Sequence, residues 1–456
     1  MGASTVIERA LARALSAGIT IAMSAQPAVA TARRGPEDVG ARPSAGWVSA
    51  LAARFGALGR KPSASGRVIP AAAVGSVAGI GSVRDIALSP DGRYAYVAAS
   101  RDGCERWAVY VVDTDLTTVI TTIDGLSEVI PTGLAVSPDS SRLYVADRNA
   151  AAIRVVDISE GSPTRNRVVD SLLLEGSLPV GYGTPTSIIL SPTGSRLYAL
   201  MTDPAVLILD PESRVLVRAV SGGDSIAMFT ENKRVYVCAG DRLGHTNVTA
   251  GVVILDADTG TELGSFGLND APAFIRQPIL AGGDGRLYLD IDDLDGHLEV
   301  VDTSALNVVA RIRIDASADR QLRSIPSAAV LSPDGRCLYV ANQGVRLSSD
   351  EATEVGWISV IDTRRNQVVH DITLPATSAD EYRGASPQFI TISPAGDRLV
   401  VVNEYGVASV IDIASGSVLS TVTLGKSTDR PRVVIGNPTR NAVYVGGDSG
   451  LTVIPV

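Results

Sequence analysis

Seven aspartates recur along the chain at positions 113, 157, 210, 256, 302, 362 and 412, each closing a short apolar run. Carboxylates repeated in this way could ligate a metal or act as general acid and base. Their neighbours argue for a plainer use. Asp113-Thr114, Asp302-Thr303 and Asp362-Thr363 suit an Asx turn, in which the side chain caps backbone amides before the next strand. The densest acidic group is Asp290, Asp292, Asp293, Asp295 and Gly296. Calcium takes oxygen-rich loops of this kind, but Ile291 occupies the first ligand position of a DxDxDG pattern. An acidic hairpin loop without a metal is the expectation.

Nitrogen and sulfur ligands are sparse. The three histidines (His245, His297 and His370) fall in different repeats, which argues against a multi-histidine copper or zinc centre. Cys104, Cys238 and Cys337 are also dispersed and match no CxxC or zinc spacing. No GxSxG, HExxH or dinucleotide-binding glycine fingerprint stands in a credible context. No catalytic residue is assigned and no cofactor is expected.

What would position any chemistry is a repeated phrase. Its clearest copy is Leu331-Ser332-Pro333-Asp334-Gly335-Arg336-Cys337-Leu338-Tyr339-Val340-Ala341-Asn342, followed by Ile358-Ser359-Val360-Ile361-Asp362-Thr363. It reads as strand, tight turn, strand, loop, strand, turn. Pro fixes φ, Asp bonds its own backbone and Gly takes φ > 0. The flanking apolar runs are short and rich in Val, Ile, Leu and Tyr, as in strands buried on both faces. Related turns stand at Ser89-Pro90-Asp91-Gly92, Ser137-Pro138-Asp139-Ser140, Ser191-Pro192-Thr193-Gly194 and Ser393-Pro394-Ala395-Gly396, with degenerate copies near 230–233, 283–285 and 437–439. Steps of 44 to 60 residues between the repeated aspartates match four-stranded propeller blades.

The fold expected is therefore all-β, a β-propeller of eight blades over residues 67–456, with seven as the alternative. The last copy ends at Val456 with three strands, and Arg67 to Gly75 reads as the missing outer one. Closing the ring in this way removes an exposed sheet edge. The phrase SPDG…YVAN…VIDT resembles the YVTN-type β-propeller repeat of exported bacterial and archaeal proteins. That resemblance implies a propeller but transfers no function, since its members are functionally mixed.

Residues 1–30 read as an export signal: Arg9 and Arg13, an apolar stretch from Ala14 to Met23, then Ala28-Val29-Ala30 as a cleavage site. Residues 31–66 are an Ala-, Arg-, Gly- and Pro-rich linker containing one short amphipathic helix around Trp47. No later run is long and apolar enough to span a membrane.

Loop lengths place the binding surface. The second-to-third-strand loops and the blade-to-blade loops are long and irregular, and in a propeller they share one face around the channel. Arg106, Trp107, Arg148, Tyr182, Arg276, Arg323, Trp357, Tyr382, Arg383, Tyr405 and Arg430 are the candidate ligand-binding residues there. The formal charge of −9 argues against nucleic acid as the partner. The expected function is an exported, monomeric, non-catalytic module that binds a protein or cell-envelope component. The alternative is a propeller hydrolase of the lactonase type, or a subunit of a periplasmic dehydrogenase.

Overall fold

The computed structural model describes residues 75–456, apart from 102–105, 127–128, 175–182, 203–204, 222, 230–232, 240–250, 269–273, 280–284, 293–296, 315–321, 348–351, 376–385 and 425–429. Strand β1 (Gly75–Val77) stands alone at the start. Blade 1 follows as β2 (Ile80–Leu88), β3 (Tyr94–Arg101), β4 (Trp107–Asp113) and β5 (Thr118–Thr122). Blade 2 is β6 (Pro131–Val136), β7 (Arg142–Asp147), β8 (Ala152–Asp157) and β9 (Arg167–Leu173). Blade 3 is β10 (Pro185–Leu190), β11 (Leu197–Met201), β12 (Ala205–Asp210) and β13 (Val215–Ser221). Blade 4 is β14 (Gly223–Phe229), β15 (Arg234–Ala239), β16 (Gly251–Asp256) and β17 (Glu262–Gly267). Blade 5 is β18 (Phe274–Ile279), β19 (Arg286–Asp292), β20 (His297–Asp302) and β21 (Asn307–Arg313). Blade 6 is β22 (Leu322–Leu331), β23 (Cys337–Leu347), β24 (Ala352–Asp362) and β25 (Gln367–Thr373). Blade 7 is β26 (Pro387–Ile392), β27 (Arg398–Asn403), β28 (Val407–Asp412) and β29 (Ser417–Thr423). Blade 8 is β30 (Pro431–Gly436), β31 (Ala442–Gly447) and β32 (Gly450–Pro455), completed by β1.

These are eight antiparallel four-stranded sheets, which decides the blade count for eight. The first strand of each blade is the inner one. β2 packs on β6 and on β30, and β6 packs on β10. Ring closure comes from β1 pairing with β32, through Gly75↔Val453 to Val77↔Leu451. The described closing strand shares only Gly75 with the stretch 67–75 expected from sequence and runs two residues past it, while residues 67–74 lie outside the described residues.

Each apolar core lies between two blades. Tyr96, Val109 and Val111 of blade 1 meet Leu143, Val145 and Val156 of blade 2. The last such core joins Val77, Tyr444 and Leu451 of blade 8 to Val83 and Val97 of blade 1, so the ring is shut by packing as well as by strand pairing. The repeated tyrosine of the second strand is buried in seven copies: 96, 144, 198, 236, 288, 339 and 444. Tyr198 donates its hydroxyl to the carbonyls of Asp256 and Ala257 in the next blade, at 3.1 and 2.9 Å. Burial pushes the Tyr96 phenol up to about 12.

The turn chemistry is as the sequence implies. Ser89 Oγ donates to Asp91 Oδ1 at 2.6 Å, Tyr94 N donates to Ser89 Oγ at 2.9 Å, and Gly92 takes φ 68°. Ser332, Asp334 and Gly335 repeat the arrangement. The recurring aspartates are Asx caps: Asp113 Oδ1 accepts from the amides of Asp115 and Leu116, and Asp362 Oδ1 from those of Arg364 and Arg365. The loop expected over 342–356 is instead a long hairpin, because β23 and β24 stay paired out to Leu347↔Ala352. The five paired residues beyond Asn342 add about 17 Å of strand, at about 3.4 Å per residue, and carry the hairpin past the ends of the second strands in both neighbouring blades.

Asp85, on β2, is a second inter-blade fastener. It is 5% exposed, and its oxygens accept from Ile86 N at 2.9 Å and, across the blade boundary, from Leu134 N at 2.7 Å. Burial pushes its carboxyl up to about 7, against the pull of those two amides. The turn carboxylates at Asp91, Asp139, Asp256 and Asp334 are held below their ordinary value by hydrogen bonds.

Two expectations follow. Removing residues 1–77 should lower the melting temperature markedly, because β32 would become a bare edge and the blade 8–blade 1 core would lose Val77; removing residues 1–66 should not. Equal melting of the two truncations would remove closure by β1 as a source of stability. A carboxyl whose folded pKa is raised stabilises below its unfolded value near 3.9 and loses that contribution as the pH climbs through about 7. Urea unfolding between pH 5 and 8 should therefore show a loss of about 3 kcal/mol that Asp85→Asn flattens. A wild-type profile as flat as the variant's would exclude an ionising Asp85. The turn aspartates act oppositely, their contribution being lost only as the pH falls below about 4.

Candidate functional site

The inner strand of every blade carries the same irregularity. Pairing with the second strand skips one residue: Arg84, Thr132, Thr186, Asp224, Arg276, Ser327, Gln388 and Arg432 in blade order. This is a β-bulge, which leaves the extra residue unpaired and re-aims its side chain. Proline precedes the bulge in five blades, at 131, 185, 326, 387 and 431. It has no N–H to leave unbonded, so a break in the ladder suits it.

Small bulge residues turn back onto the scaffold. Thr132 Oγ1 donates to Pro185 O of the next blade at 2.7 Å, and Ser327 Oγ to Ala341 O at 3.0 Å. Arg84 and Arg432 instead reach the second-to-third-strand connection of their own blade. The Arg84 guanidinium lies over the Trp107 ring at 4.2 Å from its centroid, and Arg432 Nε donates to Asp448 Oδ1 at 2.7 Å. Burial, then the charges of Arg432 and Arg148, hold the Arg84 guanidinium below its ordinary value. The guanidinium groups of Arg432 in blade 8 and Arg148 in blade 2 therefore act on that of Arg84 in blade 1.

The candidates taken from the sequence separate into groups. Trp107 is half-buried under Arg84, and Arg106 and Arg148 are exposed at the ends of the connections in blades 1 and 2. Arg430 is exposed before β30 and lies 3.9 Å from Glu404, and Tyr405 is half-buried beside it in the chain. Arg276 sits at the bulge of blade 5, and Arg323 pairs with Val345 on the raised part of blade 6. Tyr182, Tyr382 and Arg383 lie outside the described residues. Asp293, Asp295 and Gly296 of the acidic group do so too; Asp290 is buried on β19. Among the described residues, no group of three or more His, Cys, Asp or Glu side chains is placed to hold a metal.

Trp357 is a correction. It is not a loop residue at the ligand face but part of β24, paired with Asn342 and Thr373 and only 4% exposed. Its indole N–H donates to Ser359 Oγ at 3.1 Å, Asn342 Nδ2 donates to the same oxygen at 3.1 Å, and Ser359 Oγ donates to Asp371 Oδ1 at 2.7 Å. Burial raises the Asp371 carboxyl. This chain of polar contacts lies at the root of the raised hairpin, where three strands of blade 6 leave the core. The length of the Asn342–Trp357 interval suggested a loop, because the hairpin's turn falls far beyond both residues.

Arg84, Arg432 and the polar chain through Ser359 were missed in the sequence because all lie inside strands. For Arg432 the available signal was the recurring Pro-x-x step, Pro131-Thr132-Gly133, Pro185-Thr186-Ser187, Pro326-Ser327-Ala328, Pro387-Gln388-Phe389 and Pro431-Arg432-Val433; Arg84, after Val83, lacks it.

Comparison with known proteins agrees on architecture. The SMP-30/Gluconolactonase/LRE-like region matches residues 28–240, a little under half of the chain. A seven-bladed β-propeller protein of Mycobacterium tuberculosis is 32% identical over 142 residues, 31% of this chain. That match spans only 30% of the relative's own length. Among solved structures, hydrazine synthase of Kuenenia stuttgartiensis superposes with a TM-score of 0.50 at 17% identity, covering 83% of this chain and 96% of that one. The Dos1 propeller gives 0.51 at 16% identity, covering 70% and 78%. At such identities the likeness is one of fold.

Trp357→Ala should destabilise the protein by about 3–5 kcal/mol, as large-to-small core substitutions do, since it opens a cavity and frees a buried acceptor. Chemical denaturation measures it. An unchanged midpoint would return Trp357 to the surface.

Proposed function

We propose that this chain is an exported propeller of the YVTN-repeat type that binds a protein or cell-envelope ligand on the channel face formed by its second-to-third-strand and blade-to-blade connections. One asymmetry carries the reading. On the opposite face, the Ser-Pro-Asp-Gly turns and Asx caps commit their polar groups to their own backbone. On the channel face, Arg84 lies over Trp107 of its own blade and feels the arginines of the two neighbouring blades, with less internal compensation. A rigid ring that leaves charge uncompensated on one face has the form of a binding scaffold. Arg106 and Arg430 stand exposed at its rim.

The test compares two pairs of exposed arginines on opposite faces. Arg106→Glu with Arg430→Glu should abolish capture of the partner from the native envelope fraction, whereas Arg336→Glu with Arg364→Glu should leave it intact. Equal effects from both pairs would exclude a one-faced binding module. The same native preparation should carry a mature N-terminus near Thr31 or Arg33, and intact Met1 in the cytosolic fraction would count against export.

The match to the SMP-30/Gluconolactonase/LRE-like region favours a second reading, a propeller hydrolase acting on lactones. The purified protein is expected to leave lactones and esters unchanged. Turnover that survives purification and is lost on substituting a channel-face residue would decide for the hydrolase.

A further inference from the structure

We infer that the channel face over blades 8, 1 and 2 holds an oxyanion site, in which Arg84 and Arg148 grip a phosphate or carboxylate group and Arg432 closes its third side. The inference rests on the binding reading above and names the chemistry that this face would recognise. Backbone geometry brings the three residues to adjacent inner-strand ends. Arg84 occupies the bulge of β2 and Arg432 the equivalent bulge of β30, which packs directly on β2. Arg148 follows β7, and its amide donates to Ile130 O at the head of β6, the other neighbour of β2.

Their charges are not balanced. Arg432 has Asp448 at 2.7 Å. Among the described residues, neither Arg84 nor Arg148 has a carboxylate within ion-pair distance, and Arg84 Nε is buried without a hydrogen-bond acceptor. The buried neighbour Asp85 faces away, its oxygens committed to Ile86 N and Leu134 N. Asp147, next to Arg148 in the chain, is committed to Arg154 at 2.8 Å. Three arginines thus stand at adjacent inner-strand ends with one carboxylate paired among them, in a protein whose overall charge is −9. Placing like charges together without counter-charge destabilises the fold, and a bound anion would relieve that repulsion. Guanidinium suits such a ligand, because its planar fork matches two oxygens of a phosphate or carboxylate, and the Trp107 face against Arg84 holds that plane still.

The probes are inorganic phosphate and succinate, titrated calorimetrically into the full mature chain at low ionic strength. At least one should bind saturably at one site per chain, and the stronger of the two identifies the source of the oxyanion. Arg148→Gln and Arg84→Gln should each weaken binding about tenfold or more, the usual consequence of removing a charge-assisted hydrogen bond, while Arg93→Gln on the opposite face should not. Arg148 is exposed, so its substitution tests the site even where replacing half-buried Arg84 perturbs folding. Absence of saturable heat from both probes, or unchanged affinity in Arg148→Gln, overturns the proposal. Either result would leave the binding reading standing if capture of the partner still depended on Arg106 and Arg430.

Discussion

Every blade of this propeller depends on its two neighbours. The apolar cores lie between sheets, not within them, so a four-stranded blade in isolation would expose both faces. The eighth boundary is therefore as necessary as the other seven, and the three residues of β1 complete it from the opposite end of the chain. Asn437 Nδ2 reinforces the same seam by donating to Gly92 O of blade 1 at 2.9 Å. Closure leaves β32 paired on both sides, so that only the short outer strands of the blades keep a free edge.

That closure sets the terms for the two faces. Turns between inner and second strands must be tight to keep the blades in register, and their Ser and Asp side chains are consumed in making them so. Connections on the channel face carry no such duty. They vary in length, and in blade 6 the second and third strands run on as a paired hairpin through Leu347↔Ala352. Its base is stiffened by Ser359, whose hydroxyl accepts from Asn342 and Trp357 and donates to Asp371.

The inner-strand bulge links fold to chemistry. A residue left unpaired at the same height in all eight blades gives the ring eight positions where side-chain identity is not dictated by core packing. Thr132 and Ser327 use the position to tie strands together; Arg84 and Arg432 use it to project charge. The concentration of arginine in neighbouring blades 8 and 1, with Arg148 beside them, makes one sector of a near-symmetric ring different from the rest.

The repeat and the turns could be read directly from the chain, because each rests on local rules: Pro and Gly dihedrals, Asx capping of amides two and three residues on, and short continuous apolar runs. The need for a closing strand followed from the last copy's having three strands. Asp113, Asp302 and Asp362 were legible as caps for the same reason. Blade number was nearly so, the degenerate copies near 230 and 283 keeping seven open until strand pairing was known. The candidate site was not legible in the same way. Arg84 lies mid-strand with nothing local to separate it from a solvated arginine, and its meaning comes from Trp107 on another strand and from Arg148 and Arg432 on other blades. Trp357 erred in the opposite direction, since a tryptophan after a long polar interval looks like a loop residue until register with Asn342 shows it to be core. Sequence determines what neighbours along the chain impose on one another; which distant side chains share a face, and whether their charges are matched, is decided only when the ring closes.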